Sequence, residues 1–166
     1  MLVHHLILSL LTWSIIGLPI TVFAAQEIKP AGQIIIAGKT YEFEVELCHK
    51  MDTGELSAFT LGGSAQTSDG GMLSVSLSAV DKKESTEHTI VVMTMEGQYF
   101  AHAKNDGSGW KNDQGEPAEP LVSVGGKNVS ATGAFSFLKT GGMEPQPVGI
   151  GTLKATCNQV MSTQIQ

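Results

Sequence analysis

The sequence predicts an all-β protein, folded as an antiparallel two-layer β-sandwich or a flattened barrel of about eight or nine strands. Two observations support this class. Apolar and polar residues alternate with a period of two over several short segments, as expected for strands with one wet face. Glycine-rich stretches separate these segments, and no long window shows the apolar spacing of an amphipathic helix.

The clearest strand covers residues 41–47, where apolar residues alternate with three glutamates. The same alternation recurs over residues 73–79 and 129–137. Shorter candidate strands complete the set: 33–36, 58–61, 89–95, 98–104, 121–124 and 150–157. Glycines between these segments supply the positive φ that hairpin turns need. Residues 105–120 are polar, contain two prolines and are the best candidate for a long loop.

Residues 1–25 differ from the rest of the chain because they contain no aspartate, glutamate, lysine or arginine. An apolar stretch over residues 6–16 is followed by small residues, which is typical of a secretory signal peptide. Cleavage is expected after Ala24 or Ala25. The alternative is a retained N-terminal membrane anchor, because residues 6–23 approach the length needed to span hydrocarbon.

The predicted mature protein is one exported β domain over residues 26–160, followed by a flexible C-terminal tail over residues 161–166. We expect this domain in the periplasm or secreted into the medium. After cleavage it is not expected to span a membrane.

Composition excludes one class of partner. The chain carries ten basic and sixteen acidic side chains, and every basic residue is a lysine. The guanidinium fork that grips phosphate and guanine is therefore missing, and nucleic acid is not an expected partner. No catalytic motif such as a G-x-S-x-G elbow occurs, so we expect neither an enzyme nor a cofactor.

The two cysteines, Cys48 and Cys157, both lie in the predicted exported domain. In an oxidising compartment they should form a disulfide, and the alternative is a pair of buried free thiols. Strict alternation from Tyr41 places Cys48 on the glutamate face of its strand. If the sulfurs meet, that strand must bulge or change direction at Leu47.

Soft metal ligands are present but follow no repeated spacing. Thioethers and imidazoles suit copper(I), and the candidates are His49, Met51, His88, Met93, Met95 and His102. Met93 and Met95 share one strand face, where methionine is expected to fill gaps in the core. No metal site is predicted, and a periplasmic copper-binding protein remains an alternative.

An apolar groove between the two sheets is a second alternative, in which the domain carries a lipid or another small hydrophobic ligand. The residues that would line it are Tyr41, Phe43, Val129, Phe135 and Phe137. The same side chains make an ordinary core, which is the favoured interpretation.

Three segments resemble a known family. Residues 34–48 run I-I-I-A-G-K-T-Y-E-F-E-V-E-L-C, residues 125–133 run G-G-K-N-V-S-A-T-G, and residues 149–157 run G-I-G-T-L-K-A-T-C. This layout is similar to the LpqH-type lipoprotein antigen family of mycobacteria, which are small exported β domains. The lipid-attachment cysteine of that family has no counterpart here, because residues 22–25 read V-F-A-A.

The resemblance implies a β-rich exported domain with a bridge between Cys48 and Cys157. It also implies an antigen-like or adhesion-related role without catalysis. The leading hypothesis is therefore a non-catalytic exported interaction domain whose loops or sheet edges contact another protein or an envelope component.

Overall fold

The computed structural model describes residues 31–164, which form eleven β-strands and, within that range, no helix. The strands are β1 (Ala31–Ile36), β2 (Lys39–Asp52), β3 (Leu56–Gln66), β4 (Met72–Lys82), β5 (Ser85–Met93), β6 (Gly97–Asn105), β7 (Trp110–Asn112), β8 (Val122–Gly125), β9 (Asn128–Lys139), β10 (Gln146–Thr156) and β11 (Met161–Gln164). The predicted signal peptide lies outside the described residues. Within them, no helix is long and apolar enough to cross a bilayer.

Eight of the strands close into a barrel in the order β1, β2, β3, β4, β5, β6, β9 and β10. All neighbours in this circuit are antiparallel, and the pairing of β6 with β9 closes it. The other strands lie outside the circuit: β7 extends the sheet from β6, β8 extends it from β9, and β11 pairs in parallel with β2. The predicted antiparallel all-β fold is confirmed in its barrel form.

The barrel has two ends that differ in their connections. The upper end carries the turns between β1 and β2, β3 and β4, β5 and β6, and β9 and β10. The lower end carries the turns between β2 and β3, β4 and β5, and β8 and β9. β7 and β8 also lie toward the lower end, because they pair with the lower halves of β6 and β9.

The interior of the barrel is one core built from alternate residues of each strand. Its most deeply buried members include Ile34, Ile36, Leu61, Leu73, Val75, Leu77, Ile90, Val92, Val129, Phe135 and Leu153. Outward positions on the same strands carry serine, threonine, glutamate and lysine, for example in the β4 burial pattern. The period of two in the sequence therefore corresponds to the inside and outside of the barrel.

Inward glycines make room for aromatic rings from neighbouring strands. A Cβ atom on Gly32 would lie 2.2 Å from Cζ of Phe43, and one on Gly151 would lie 2.7 Å from the ring of Phe135. Each ring thus packs over the backbone of the glycine beside it and occupies the space that a side chain at the glycine position would need. Side chains, rather than a channel, occupy these levels of the barrel.

The predicted disulfide is present between Cys48 and Cys157, with their Cα atoms 6.0 Å apart. The register of β2 against β3 shifts between Val45 and Leu47. This bulge turns Leu47 outward and lets Cys48 enter the core, where it is 3% exposed. The predicted change of direction at Leu47 is confirmed.

Two segments differ from the sequence prediction. The expected tail over residues 161–166 contributes β11, whose residues pair with the lower half of β2. Among the described residues, β1 pairs with β2 from Glu44 toward the upper end, and β11 pairs with the same strand below it. The predicted loop over residues 105–120 contains the short strand β7.

Candidate functional site

The five residues of the predicted groove all face the barrel interior. Phe43, Val129 and Phe135 are at most 4% exposed and belong to the central core. Tyr41 and Phe137 are partly buried toward the upper end, where the Phe137 ring centroid lies 4.6 Å from that of Tyr99. Burial and the nearby Tyr99 raise the pKa of Tyr41. The structure therefore brings these side chains together as packing elements.

Large aliphatic side chains also lie on the outside of the barrel. Ile150 on β10 is 69% exposed and Ile35 on the adjacent β1 is 40% exposed. The register places Ile35 between Thr40 of β2 and Thr152 of β10. We name this surface the outer wall and define it by the outward residues Gln33, Ile35, Thr40, Glu42, Ser130, Thr132, Ala134, Ile150, Thr152 and Lys154.

The outer wall has an apolar half and a polar half. Around the two isoleucines the neighbours are small, since Ile150 pairs with Ala134 and is flanked by glycine on both sides. Toward the lower end, Gln33 lies between Glu42 and Lys154. One carboxylate and one ammonium therefore border the apolar half. A surface depression includes this polar half in its lining and extends to Phe43, Val129 and Met72.

Sequence reasoning did not identify the outer wall. The alternation of β10 contains a signal for it, because Gly151, Leu153 and Ala155 point inward, which puts Ile150 on the outward face. Ile35 has no such signal, since it lies within a run of three isoleucines. Only the pairing with β2 and β10 decides which of the three points outward.

The three histidines considered as copper ligands have separate surroundings. His88 is buried, its Nδ1 accepts a hydrogen bond of 3.1 Å from the Val122 amide, and its ring lies 4.6 Å from that of Trp110. Burial lowers the pKa of His88, and the charge of Asp81 partly opposes this. A neutral imidazole is the form that accepts the amide proton.

His102 lies on the outer surface between two carboxylates. Its Nδ1 is 2.5 Å from Oδ1 of Asp113, and its Nε2 is 3.0 Å from Oε1 of Glu87. His49 is near β11, with Nε2 3.0 Å from Oγ1 of Thr163. Within residues 31–164, no three histidine, cysteine or acidic side chains are arranged to hold a metal ion.

The expectation that Met93 and Met95 fill the core is wrong. Met93 is 55% exposed and Met95 is 75% exposed. Ile90 and Val92 take the inward positions at the end of β5, so the alternation places Met93 outside. Met95 lies in the turn that follows.

Comparison of the chain with family models, with curated proteins and with solved structures found no match. The resemblance to LpqH-type antigens therefore stays a prediction.

Proposed function

We propose that this chain is a non-catalytic exported interaction domain that binds a partner protein through the outer wall. The observation that carries the proposal is the exposure of Ile150 and Ile35 on adjacent strands. Exposed aliphatic groups on neighbouring strands leave apolar area in water that a partner can cover.

The shape and chemistry of the outer wall suit a protein partner. Threonine, serine, alanine and glycine surround the isoleucines, so the surface has few long side chains to immobilise on binding. Glu42 and Lys154 lie at its border, as polar groups do around the apolar centre of many interfaces. Such charges orient a partner more than they add affinity.

The disulfide supports export, because such bridges persist mainly in oxidising compartments. The sequence resemblance to exported antigens predicts the same class of role. The packed positions of Phe43, Val129 and Phe135 favour a surface function over the lipid-carrier alternative.

Site-specific photocrosslinking in the native host tests the proposal. A photoreactive amino acid replaces Ile150, and the matched control replaces Ser76, an outward residue of β4 on the other side of the barrel. We expect a discrete adduct of fixed mass at position 150, and none at position 76. Adding Ile35→Asp should abolish that adduct without changing secretion or thermal unfolding.

Two results would contradict the proposal. The first is the same adduct pattern at both positions, which indicates non-specific collision. The second is an adduct at position 150 that persists at full yield in the Ile35→Asp variant, because a partner seated on the outer wall must contact both side chains.

A further inference from the structure

Three exposed methionines lie near the upper ends of β4 and β5, two strands that contribute no residue to the outer wall. Met72 is 60% exposed, Met93 is 55% exposed and Met95 is 75% exposed. Methionine is usually buried in folded proteins. The core of the described barrel is instead filled by isoleucine, leucine, valine and aromatic side chains. These three thioethers therefore do not contribute to the packing of the core.

Strand register brings the three methionines together. Met93 pairs with Ser74 across β4 and β5. The ladder ends at this pair, and Met95 lies two residues beyond it, in the turn between β5 and β6. Because residues two apart on a strand point to the same face, Met72 is also the diagonal neighbour of Met93.

Contacts in the turns support this placement. A Cβ atom built on Gly71 would lie 3.0 Å from Sδ of Met95, so this sulfur lies beside Gly71, the residue that precedes Met72. Met72 and Met95 line the same small cleft at the upper end. Thr67 and the Gly71 amide donate hydrogen bonds to Asp69, which fixes the turn that carries Met72 into β4.

We propose that Met72, Met93 and Met95 form a binding site for one copper(I) ion. Thioether sulfur is a soft, neutral ligand that prefers copper(I) to hard divalent cations. The flexible methionine side chain can rotate its sulfur toward a shared ion at small steric cost. Copper(I) binds without a change in oxidation state and without release of a proton from the thioethers.

The charges around the site favour a cation. The carboxylates of Asp69 and Glu96 line the same cleft as Met72 and Met95, and Lys39 is the cation among the lining residues. The net local charge is therefore negative, which raises the local concentration of a cation. This site shares no residue with the outer wall and does not depend on the proposed function.

Silver(I) is the probe, because it has the same preference for thioethers and does not cycle between oxidation states. The purified protein, labelled with [13C-methyl]methionine, is titrated with silver(I) and followed by NMR and native mass spectrometry. We expect one bound ion per chain and stoichiometric shifts of the Met72, Met93 and Met95 methyl signals. The methyl signals of Met143 and Met161 should not move.

A pair of matched variants separates the site from exposed thioethers in general. Met72→Leu with Met95→Leu keeps apolar side chains but removes two sulfurs, and should weaken silver(I) binding about tenfold or more. Met143→Leu with Met161→Leu, also at exposed positions, should bind as the native protein does. Thermal unfolding of both variants checks that the barrel is intact.

The proposal is overturned if no ion binds with one-to-one stoichiometry, if all exposed methionine methyls shift in parallel, or if the two double variants lose affinity equally. The Ile35→Asp variant should bind silver(I) normally. Failure of the metal site is thus distinguishable from failure of the outer wall.

Discussion

The barrel is interrupted at two places near its lower end, and the chain closes them by different means. We name the first the disulfide seam. The strand β1 lies between β10 and β2 from Ala31 toward the upper end, and below that level the bond between Cys48 and Cys157 joins β2 to the end of β10. At the second, the histidine seam, β6 and β9 pair only over residues 97–100 and 136–139 and then diverge.

Weak interactions close the histidine seam. The segment between β7 and β8 enters the gap, where the Ala118 amide donates to the Trp110 carbonyl and the Leu121 carbonyl accepts from the Thr132 amide, both at 2.9 Å. Leu121 is 7% exposed and its methyl groups cover Gly133. His88 then accepts from the amide of Val122, at the start of β8.

The difference teaches how each seam responds to its surroundings. A covalent bridge is indifferent to proton concentration but depends on redox conditions. The histidine seam is held by the Leu121 side chain, which we call the plug, and by the neutral imidazole of His88. Its stability does not depend on redox conditions but does depend on pH. Two ways of closing the same end of one barrel thus give it separate sensitivities.

The largest expected effect is at the disulfide seam. Replacing both cysteines, Cys48→Ala with Cys157→Ala, should lower the free energy of unfolding by about 4 kcal/mol, because the bridge closes a loop of 109 residues. Urea denaturation at pH 7 measures this, and reduction of the native protein provides the control without substitution. A loss below about 1 kcal/mol would show that β11 and the sheet hold this seam unaided.

Removing the plug of the histidine seam should have the next largest effect. Leu121→Ala is expected to cost about 3 kcal/mol, since it leaves a cavity over Gly133. Val124→Ala is the matched control on the adjacent strand, at a side chain that is 42% exposed, and should cost about 0.5 kcal/mol. Equal losses in the two variants would mean that the plug is not tightly packed.

Acid should weaken the histidine seam through His88. Burial lowers the folded-state pKa of His88 below its ordinary value of 6.5, so the unfolded chain binds this proton first as the pH falls. Stability from this group is therefore complete above about pH 6.5 and declines below it. Comparison of native protein with His88→Gln, by urea denaturation from pH 7.5 to pH 5, should show a steeper decline in the native protein. Parallel curves would refute this role.

The smallest expected effect is at His102. His102→Ala removes both carboxylate contacts, but its side chain is 24% exposed and those partners are 41% and 46% exposed. We expect a loss of about 0.5 kcal/mol. Limited proteolysis should nonetheless cut residues 105–120 faster in the variant, because Asp113 belongs to that segment. Unchanged cleavage would show that the hydrogen bonds around Asn112 hold the segment by themselves.

The fold class and the bulge follow from local alternation, and the disulfide follows from the presence of two cysteines in the chain. Alternation decides which residues of β2 point inward, and the position of Cys48 on the wrong face then requires a bulge. The closure of the barrel depends on the pairing of Tyr99 with Phe137, which are distant in the sequence. No local pattern encodes such a pairing.

The candidate site was less accessible from sequence for the same reason. Whether Ile35 or its neighbours face water depends on the register between three strands. The outward direction of Met93 follows from the inward positions of Ile90 and Val92. Its proximity to Met72 follows only from the pairing of β4 with β5. His88 is buried because the segment between β7 and β8 covers it. The alternation of β5 alone does not predict that contact.

The position of the bridge also determines how this domain bears a mechanical load. If residues 31 and 164 are pulled apart, tension runs from residue 31 to Cys48, crosses the sulfur–sulfur bond, and leaves from Cys157 toward β11. Residues 49–156 lie outside that path. Stretching can peel away β1 and the upper part of β2 at one terminus and β11 at the other, while most of the polypeptide cannot be extended until the bond itself is cut.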